Sequence, residues 1–124
     1  MISDDILIEK AIEAQRKAMS PYSNYPVGAA LLTKDNKIVL GCNIESKAYP
    51  TTLCAERVAF FSALSQGYKE FTELALITND GAYPCGSCRQ IIYEYSKNIT
   101  IYVATDLNSF NTIKISELLP YPFS

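Results

Sequence analysis

Apolar positions along the chain change period several times, and each change marks a structural element. Leu7, Ala11, Ala14 and Ala18 recur at helical spacing behind Ser3-Asp4-Asp5, which predicts a first helix capped at Ser3 and ended by Ser20-Pro21. Val27 to Thr33 and Lys37 to Asn43 are apolar, β-rich runs around the polar Lys34-Asp35-Asn36, the pattern of a hairpin. Thr51-Thr52 offers a cap for a second helix running to Gly67, a natural C-terminal stop. Leu74 to Thr78 reads as a third strand, and Pro84 opens a third helix that continues through Tyr95. Ile99 to Ala104 is a fourth strand, and Ile113-Lys114-Ile115 a fifth before Pro120. The order α-β-β-α-β-α-β-β predicts an α/β fold, a three-layer αβα arrangement around a mixed five-stranded sheet. Residues 1–124 are expected to form a single domain.

Composition narrows the classes of function. With 48% apolar and 19% charged residues the chain is an ordinary globular mixture, neither disordered nor a coiled coil. Lys and Arg number 11 against 13 Asp and Glu, so no basic surplus exists to neutralise a polyphosphate backbone, and long nucleic acid is not an expected partner. The acidic start, Met1-Ile2-Ser3-Asp4-Asp5, is unlike a secretory signal, and no apolar run approaches membrane-spanning length. A cytoplasmic location without membrane attachment is the expectation. In a reducing compartment the four cysteines are better used for metal than for disulfides.

Three of those cysteines fall in two short clusters, Cys54-Ala55-Glu56-Arg57 and Pro84-Cys85-Gly86-Ser87-Cys88-Arg89-Gln90, and the chain contains no histidine. A zinc site with one open position draws three protein ligands, so Cys54, Cys85 and Cys88 are the candidate set. Each is expected in the first turn of a helix, where the positive helix end favours the thiolate. Three thiolates on a divalent ion leave excess negative charge, and Arg57 or Arg89 is expected to donate hydrogen bonds to the sulfurs. Glu56 lies two positions from Cys54, about 200° away around a helix. Both side chains can reach an ion only if it sits beyond the helix end, toward which Cβ atoms lean. Glu56 would then serve a water at the open position without binding the metal.

Each residue also has a plainer reading. A lone Cys-x-x-Cys is often a structural metal knuckle or a redox pair. Glu56 is placed as any first-turn glutamate that complements a helix dipole. Cys42, inside the second predicted strand, reads as a small buried hydrophobe rather than a fourth ligand.

Cys-Ala-Glu-Arg with Pro-Cys-x-x-Cys-Arg-Gln resembles the zinc-dependent cytidine deaminases. Pro21-Tyr22-Ser23-Asn24-Tyr25-Pro26-Val27-Gly28-Ala29-Ala30-Leu31, Gly41-Cys42-Asn43-Ile44-Glu45 and Leu118-Leu119-Pro120 are similar to the small, homotetrameric free-nucleoside branch, which uses an all-cysteine ligand set. The resemblance covers nearly the whole chain. It implies one zinc per subunit on Cys54, Cys85 and Cys88, with Arg57 tempering the thiolate charge. Glu56 is implied as the proton shuttle that takes a proton from water, protonates the pyrimidine N3 and assists departure of ammonia. Asn43 and Glu45 are implied to bind the ribose, Tyr25 stands where the family usually has a phenylalanine beside the base, and backbone groups around Ala55 and Cys85 would meet the base edge. Phe123 matches the aromatic that a neighbouring subunit contributes.

Some positions depart from the family pattern. Tyr83 replaces a small residue before Pro-Cys, the loop from Thr78 to Pro84 is short, and Ser46-Lys47 places a cation near the sugar site. The expected reaction is deamination of cytidine and deoxycytidine to uridine and deoxyuridine, a step of pyrimidine salvage. The alternatives are a deaminase of another aminopyrimidine nucleoside such as blasticidin S, a noncatalytic zinc-stabilised interaction module with a closed four-ligand site, and an editing enzyme acting on polynucleotide.

Overall fold

A computed structural model describes residues 2–123. Helix α1 (Asp4–Gln15) leads into a hairpin of β1 (Gly28–Thr33) and β2 (Ile38–Cys42). After a 3₁₀ turn at Tyr49–Thr51 come α2 (Ala55–Ser65), β3 (Phe71–Ile77), α3 (Gly86–Tyr95), β4 (Thr100–Asp106), β5 (Ser109–Lys114) and the short α4 (Ile115–Leu118). The strands form one mixed sheet in the order β2-β1-β3-β4-β5. Only β3 and β4 are parallel neighbours, and α3 is the crossover between them.

Alternation along the strands builds the three layers. Ala29 and Leu31 of β1, Leu74 and Leu76 of β3, and Ile101 and Val103 of β4 face one way and pack with Ala59, Phe60 and Ala63 of α2 and Ile92 of α3. Ala30, Leu32, Ala75, Ile77 and Ala104 face the other way, onto Leu7, Ile8 and Ala11 of α1. Strand β1 is therefore covered on both faces and is apolar throughout, apart from the buried Thr33 at its end. Phe60 is fully buried with its ring edge-on to Phe71 at 5.2 Å; its burial contributes roughly 2–3 kcal/mol.

Two glycines allow helices to lie against the sheet at close range. A Cβ on Gly28 would stand 2.0 Å from the Ala11 carbonyl oxygen, and one on Gly41 would stand 2.4 Å from that of Ala55 and 2.5 Å from Ala59 N. Gly41 thus seats the start of α2 directly on β2.

Element boundaries differ from the sequence pattern at several places, four of them at α1, α2, α3 and β5. The first helix stops at Gln15, leaving Ala18 outside it. The Gln15 side chain donates to Pro26 O at 3.0 Å, tying the returning segment to the helix end. The second helix begins at Ala55, because Leu53 forms an extended bridge with Ile44 and cannot be helical. Thr51 and Thr52 cap nothing in α2: the Thr51 hydroxyl donates to Ala48 O, and Thr52 Oγ1 accepts from Ser46 N. The third helix begins at Gly86 rather than Pro84. The fifth strand spans Ser109–Lys114, so Ile115 belongs to α4.

Candidate metal centre and active site

The starts of α2 and α3 converge at one end of the sheet. Cys54 is the N-cap of α2 and Cys85 the N-cap of α3, both with extended backbone, and Cys88 lies in the first turn of α3. This corrects the placement of Cys54 and Cys85 inside helical turns. An N-cap side chain ordinarily accepts from the helix's free N–H groups. Neither cysteine makes such a bond, which leaves both sulfurs directed elsewhere. The Sγ atoms of Cys54, Cys85 and Cys88 all lie within 4.8 Å of one another. Cys85 and Cys88 are 3.4 Å apart, and Cys54 and Cys85 3.9 Å.

Among the described residues no other His, Cys, Asp or Glu joins this group. Cys42 stands apart at the end of β2, half-buried rather than buried, with its thiol donating to Lys17 O at 3.5 Å. Burial pushes that thiol up.

The two arginines diverge. Arg57 donates from one guanidinium nitrogen to Cys54 Sγ at 3.4 Å, while its buried Nε has no partner among the described residues. Arg89 turns from the sulfurs to the backbone, donating to Pro84 O at 2.7 Å and Leu118 O at 3.0 Å. It fixes the entry to α3 and the chain's last helix. The expectation of an arginine on the thiolates is met by Arg57 alone.

Without metal, charge is distributed unevenly over the cluster. Hydrogen bonds from Cys88 and Arg57 outweigh burial and hold the Cys54 thiol down, to about 5. The hydrogen bond to Cys54 and burial push Cys88 up. Glu56 is only 4% exposed. Burial, with the Cys54 thiolate adding to it, raises its carboxyl to about 7. A group of that acidity both accepts and returns a proton near neutrality.

A cavity of about 390 Å³ opens beside the cluster, lined by Tyr25, Asn43, Glu45, Ala55, Glu56 and Cys85 among others. Five candidate residues, Tyr25, Asn43, Glu45, Ala55 and Glu56, therefore share one space with two of the cysteines, Cys54 and Cys85. The second strand was expected to run through Asn43, yet β2 ends at Cys42. Asn43 and Glu45 are presented instead by a segment tied through Ile44 to Met19 and Leu53. The Asn43 amide accepts from Val27 N and donates to Tyr25 O. The Glu45 carboxylate accepts from Tyr22 N, Ser23 N and the Ser23 hydroxyl. Both side chains thus hold the 21–27 segment down while facing the cavity.

Ala55 is the first residue of α2, so its N–H has no carbonyl within the helix to serve. Phe123 does not line this cavity and is 86% exposed. Its backbone is gripped at both N and O by the Gln90 side chain. Lys47 is exposed and lines neither this cavity nor an adjoining one of about 400 Å³ bounded by Tyr22, Ser23, Glu45, Tyr49 and Thr52.

Several lining residues carried no chemical signal in the sequence. Ser23, Thr52, Leu53, Thr78 and Ala82 are common residue types, recognisable only from their place on the cavity wall. The Asp80-Gly81 dipeptide is a turn signal that marks the wall's edge.

Three thiols at two helix starts, a buried carboxylate beside them and a cavity for a small ring define a metal-assisted hydrolase on an αβα scaffold. The family model described as "Cytidine and deoxycytidylate deaminase zinc-binding region" matches residues 1–104. A cytidine deaminase of Sporosarcina psychrophila is 43% identical over 121 residues, covering 95% of this chain and 89% of the relative. The crystal structure of cytidine deaminase from Burkholderia pseudomallei superposes with a TM-score of 0.95 at 39% identity, covering 98% of this chain and all of that one. A blasticidin-S deaminase of Bacillus cereus is more distant, 29% identical over 112 residues, 82% of this chain and 79% of the relative. The chain belongs to the cytidine and deoxycytidylate deaminase family.

The donor set fits zinc. Three thiolates, a divalent cation and the Arg57 guanidinium sum to no net charge, and the partnerless Arg57 Nε is a spare donor beside the cluster. When bound there, zinc supplies a Lewis-acidic position that lowers the pKa of water.

Proposed function

We propose that this chain deaminates cytidine and deoxycytidine hydrolytically, giving uridine and deoxyuridine with release of ammonia. The observation that carries this reading is the position of Glu56: nearly buried, outside the cysteine cluster, and on the wall of the same cavity. In the reaction Glu56 takes a proton from the attacking water and delivers it to N3 as oxygen adds to C4. It then takes the proton of the new C4 hydroxyl and passes it to the exocyclic nitrogen, so that the C4–N bond breaks, ammonia leaves and C4 becomes a carbonyl carbon.

The remaining residues bind and orient. The ring of Tyr25 lies beside the base, and backbone groups at Ala55 and Cys85 meet its edge. Asn43 and Glu45 receive the ribose hydroxyls, Glu45 as an acceptor. Among the described residues no Lys or Arg lines the cavity or the adjoining one, and Glu45 borders both. A 5′-phosphate would meet a carboxylate there, which favours free nucleosides over nucleotides.

Cys54, Cys85 and Cys88 hold one zinc per subunit, and Arg57 offsets their charge. The exposed Phe123 completes a neighbouring subunit's cavity in a homotetramer, and residues 1–124 act as a single catalytic domain. A cytoplasmic location accords with this role. Among the described residues no helix is long and apolar enough to cross a membrane.

The test is an ultraviolet assay of the zinc-loaded protein against cytidine, deoxycytidine, cytosine, CMP and blasticidin S. Turnover of the first two alone is expected. Preference for CMP or blasticidin S would move the substrate assignment, and no turnover with zinc bound would make the site structural.

A further inference from the structure

Tyr25 is held at both ends. Its backbone N–H donates to Ser23 Oγ at 3.1 Å, its carbonyl accepts from Asn43 Nδ2 at 2.9 Å, and its phenol donates to Asp80 Oδ1 at 2.5 Å. The same Asp80 oxygen accepts from Ala82 N at 3.2 Å and from the Thr78 hydroxyl at 3.4 Å. Thr78 Oγ1 in turn accepts from Gly81 N at 2.7 Å and Ala82 N at 3.1 Å. Gly81 adopts φ +74°, a conformation that favours glycine, so the chain closes into a tight turn between Thr78 and Ala82.

That turn runs straight into Tyr83, Pro84 and Cys85. Tyr25, Thr78, Ala82, Tyr83 and Cys85 all line the cavity, whereas Asp80 lies outside it. Asp80 therefore grips the wall from behind. The phenol bridges positions 55 apart in the chain, linking the segment pinned by Asn43 and Glu45 to the turn that delivers a metal-site cysteine. A phenylalanine at position 25 would leave these two walls without that tie.

We infer that Asp80 is a positioning residue for the reaction: through the Tyr25 hydroxyl it fixes the spacing between the Tyr25 ring and the Ala82–Cys85 wall, and so sets the width of the slot that receives the pyrimidine. The ligand named here rests on the proposed function; the strut itself does not. The bond is charge-assisted, O–H to carboxylate, and is the shortest kind of hydrogen bond between neutral donor and ionised acceptor. The Tyr25 hydrogen bond holds the Asp80 carboxyl below its usual range, so the acceptor is ionised at neutral pH. Burial and Asp80 raise the Tyr25 phenol, so the donor keeps its proton.

The test uses zinc-loaded wild type, Tyr25→Phe, Asp80→Ala, Asp80→Asn and the Tyr25→Phe/Asp80→Ala double variant. Loss of one such bond on the protein surface is expected to raise KM for cytidine about fivefold in Tyr25→Phe and in Asp80→Ala, with kcat held within about twofold. The double variant should be no worse than Asp80→Ala, because the one bond that Tyr25→Phe removes is already lost there. Asp80→Asn keeps an acceptor oxygen and should recover most of the affinity. Amide exchange across residues 78–84 should quicken in the two alanine and phenylalanine variants and not in Asp80→Asn.

An unchanged KM in stable, active variants overturns the inference even if exchange quickens, for then the strut holds a surface turn and nothing more. Additive effects in the double variant overturn it as well. A wild-type enzyme inert toward cytidine overturns the proposed function, and this role with it, and is told apart by the wild-type assay alone.

Discussion

Cys54 and Glu56 are two residues apart, yet both face one cavity. The helix period would turn them to opposite flanks. They meet because Cys54 is the extended N-cap of α2 and Glu56 is the second residue of the helix, so both side chains project past its end. The Cys54 thiol and the Glu56 carboxylate, the proposed ligand and proton carrier, are thereby held in a fixed relation by a short stretch of backbone at the helix start rather than by flexible loops.

Replacing Glu56 with Gln should separate the two roles. The amide keeps the shape but cannot carry a proton, so kcat should fall by roughly 10²–10⁴. Metal analysis should still find zinc at wild-type stoichiometry. A fully active Glu56→Gln enzyme would remove Glu56 from the mechanism.

The raised Glu56 pKa also predicts a pH dependence of stability in the metal-free protein. Folding lifts this carboxyl from its ordinary value of 4.5 to about 7, so between those values the folded state binds the extra proton. Stability from this group is complete below about pH 4.5 and is lost as pH rises through about 7, by an amount on the order of 3 kcal/mol. Urea unfolding of zinc-stripped wild type and Glu56→Gln at pH 5 and pH 8 should show this loss as a difference between the two proteins, because the depressed Cys54 thiol gives both an opposite trend over the same range. Parallel pH profiles for the two proteins would contradict the assignment.

Arg57 and Arg89 should fail in different ways. Arg57→Ala leaves the thiolate charge unbalanced, and competition with a chelator should report zinc held about tenfold less tightly. Arg89→Ala removes two bonds to backbone carbonyls, at Pro84 and Leu118. It should lower the melting temperature by several degrees, for a loss of roughly 1–3 kcal/mol, with a smaller change in zinc affinity.

Gly41 and Gly86 form a contrasting pair. A methyl at Gly41 would collide with the Ala55 carbonyl and the Ala59 amide, while one at Gly86 meets nothing within 4 Å. Gly41→Ala should destabilise by about 1–3 kcal/mol and weaken zinc binding, since α2 must shift. Gly86→Ala, at the first residue of α3, should be neutral or slightly stabilising in thermal unfolding.

Much of this was legible in the chain itself. The hairpin, the five strands and the three-layer arrangement follow from alternation and from turn residues such as Lys34-Asp35-Asn36, because burial on two faces imposes a pattern that one sequence can display. The cysteine set was legible because few other residue types bind zinc. Helix starts were not: Thr51-Thr52 looks like a cap, but the Leu53–Ile44 bridge holds the chain extended for two further residues. Long-range pairings decide such boundaries. The part played by Asp80 was not legible beyond a turn for the same reason, since its phenol partner lies 55 positions away in the chain.

The β3–α3–β4 crossover gives the sheet a working end and a blind end. Gly28, Cys42 and Ile77 lie at the first, beside the metal centre, while the Lys34–Asn36 turn and the start of α1 lie at the other. A fluorophore or surface anchor placed in that turn would sit a full strand length from the chemistry. The molecule can therefore be tethered or tagged there with its catalytic mouth left open to solution.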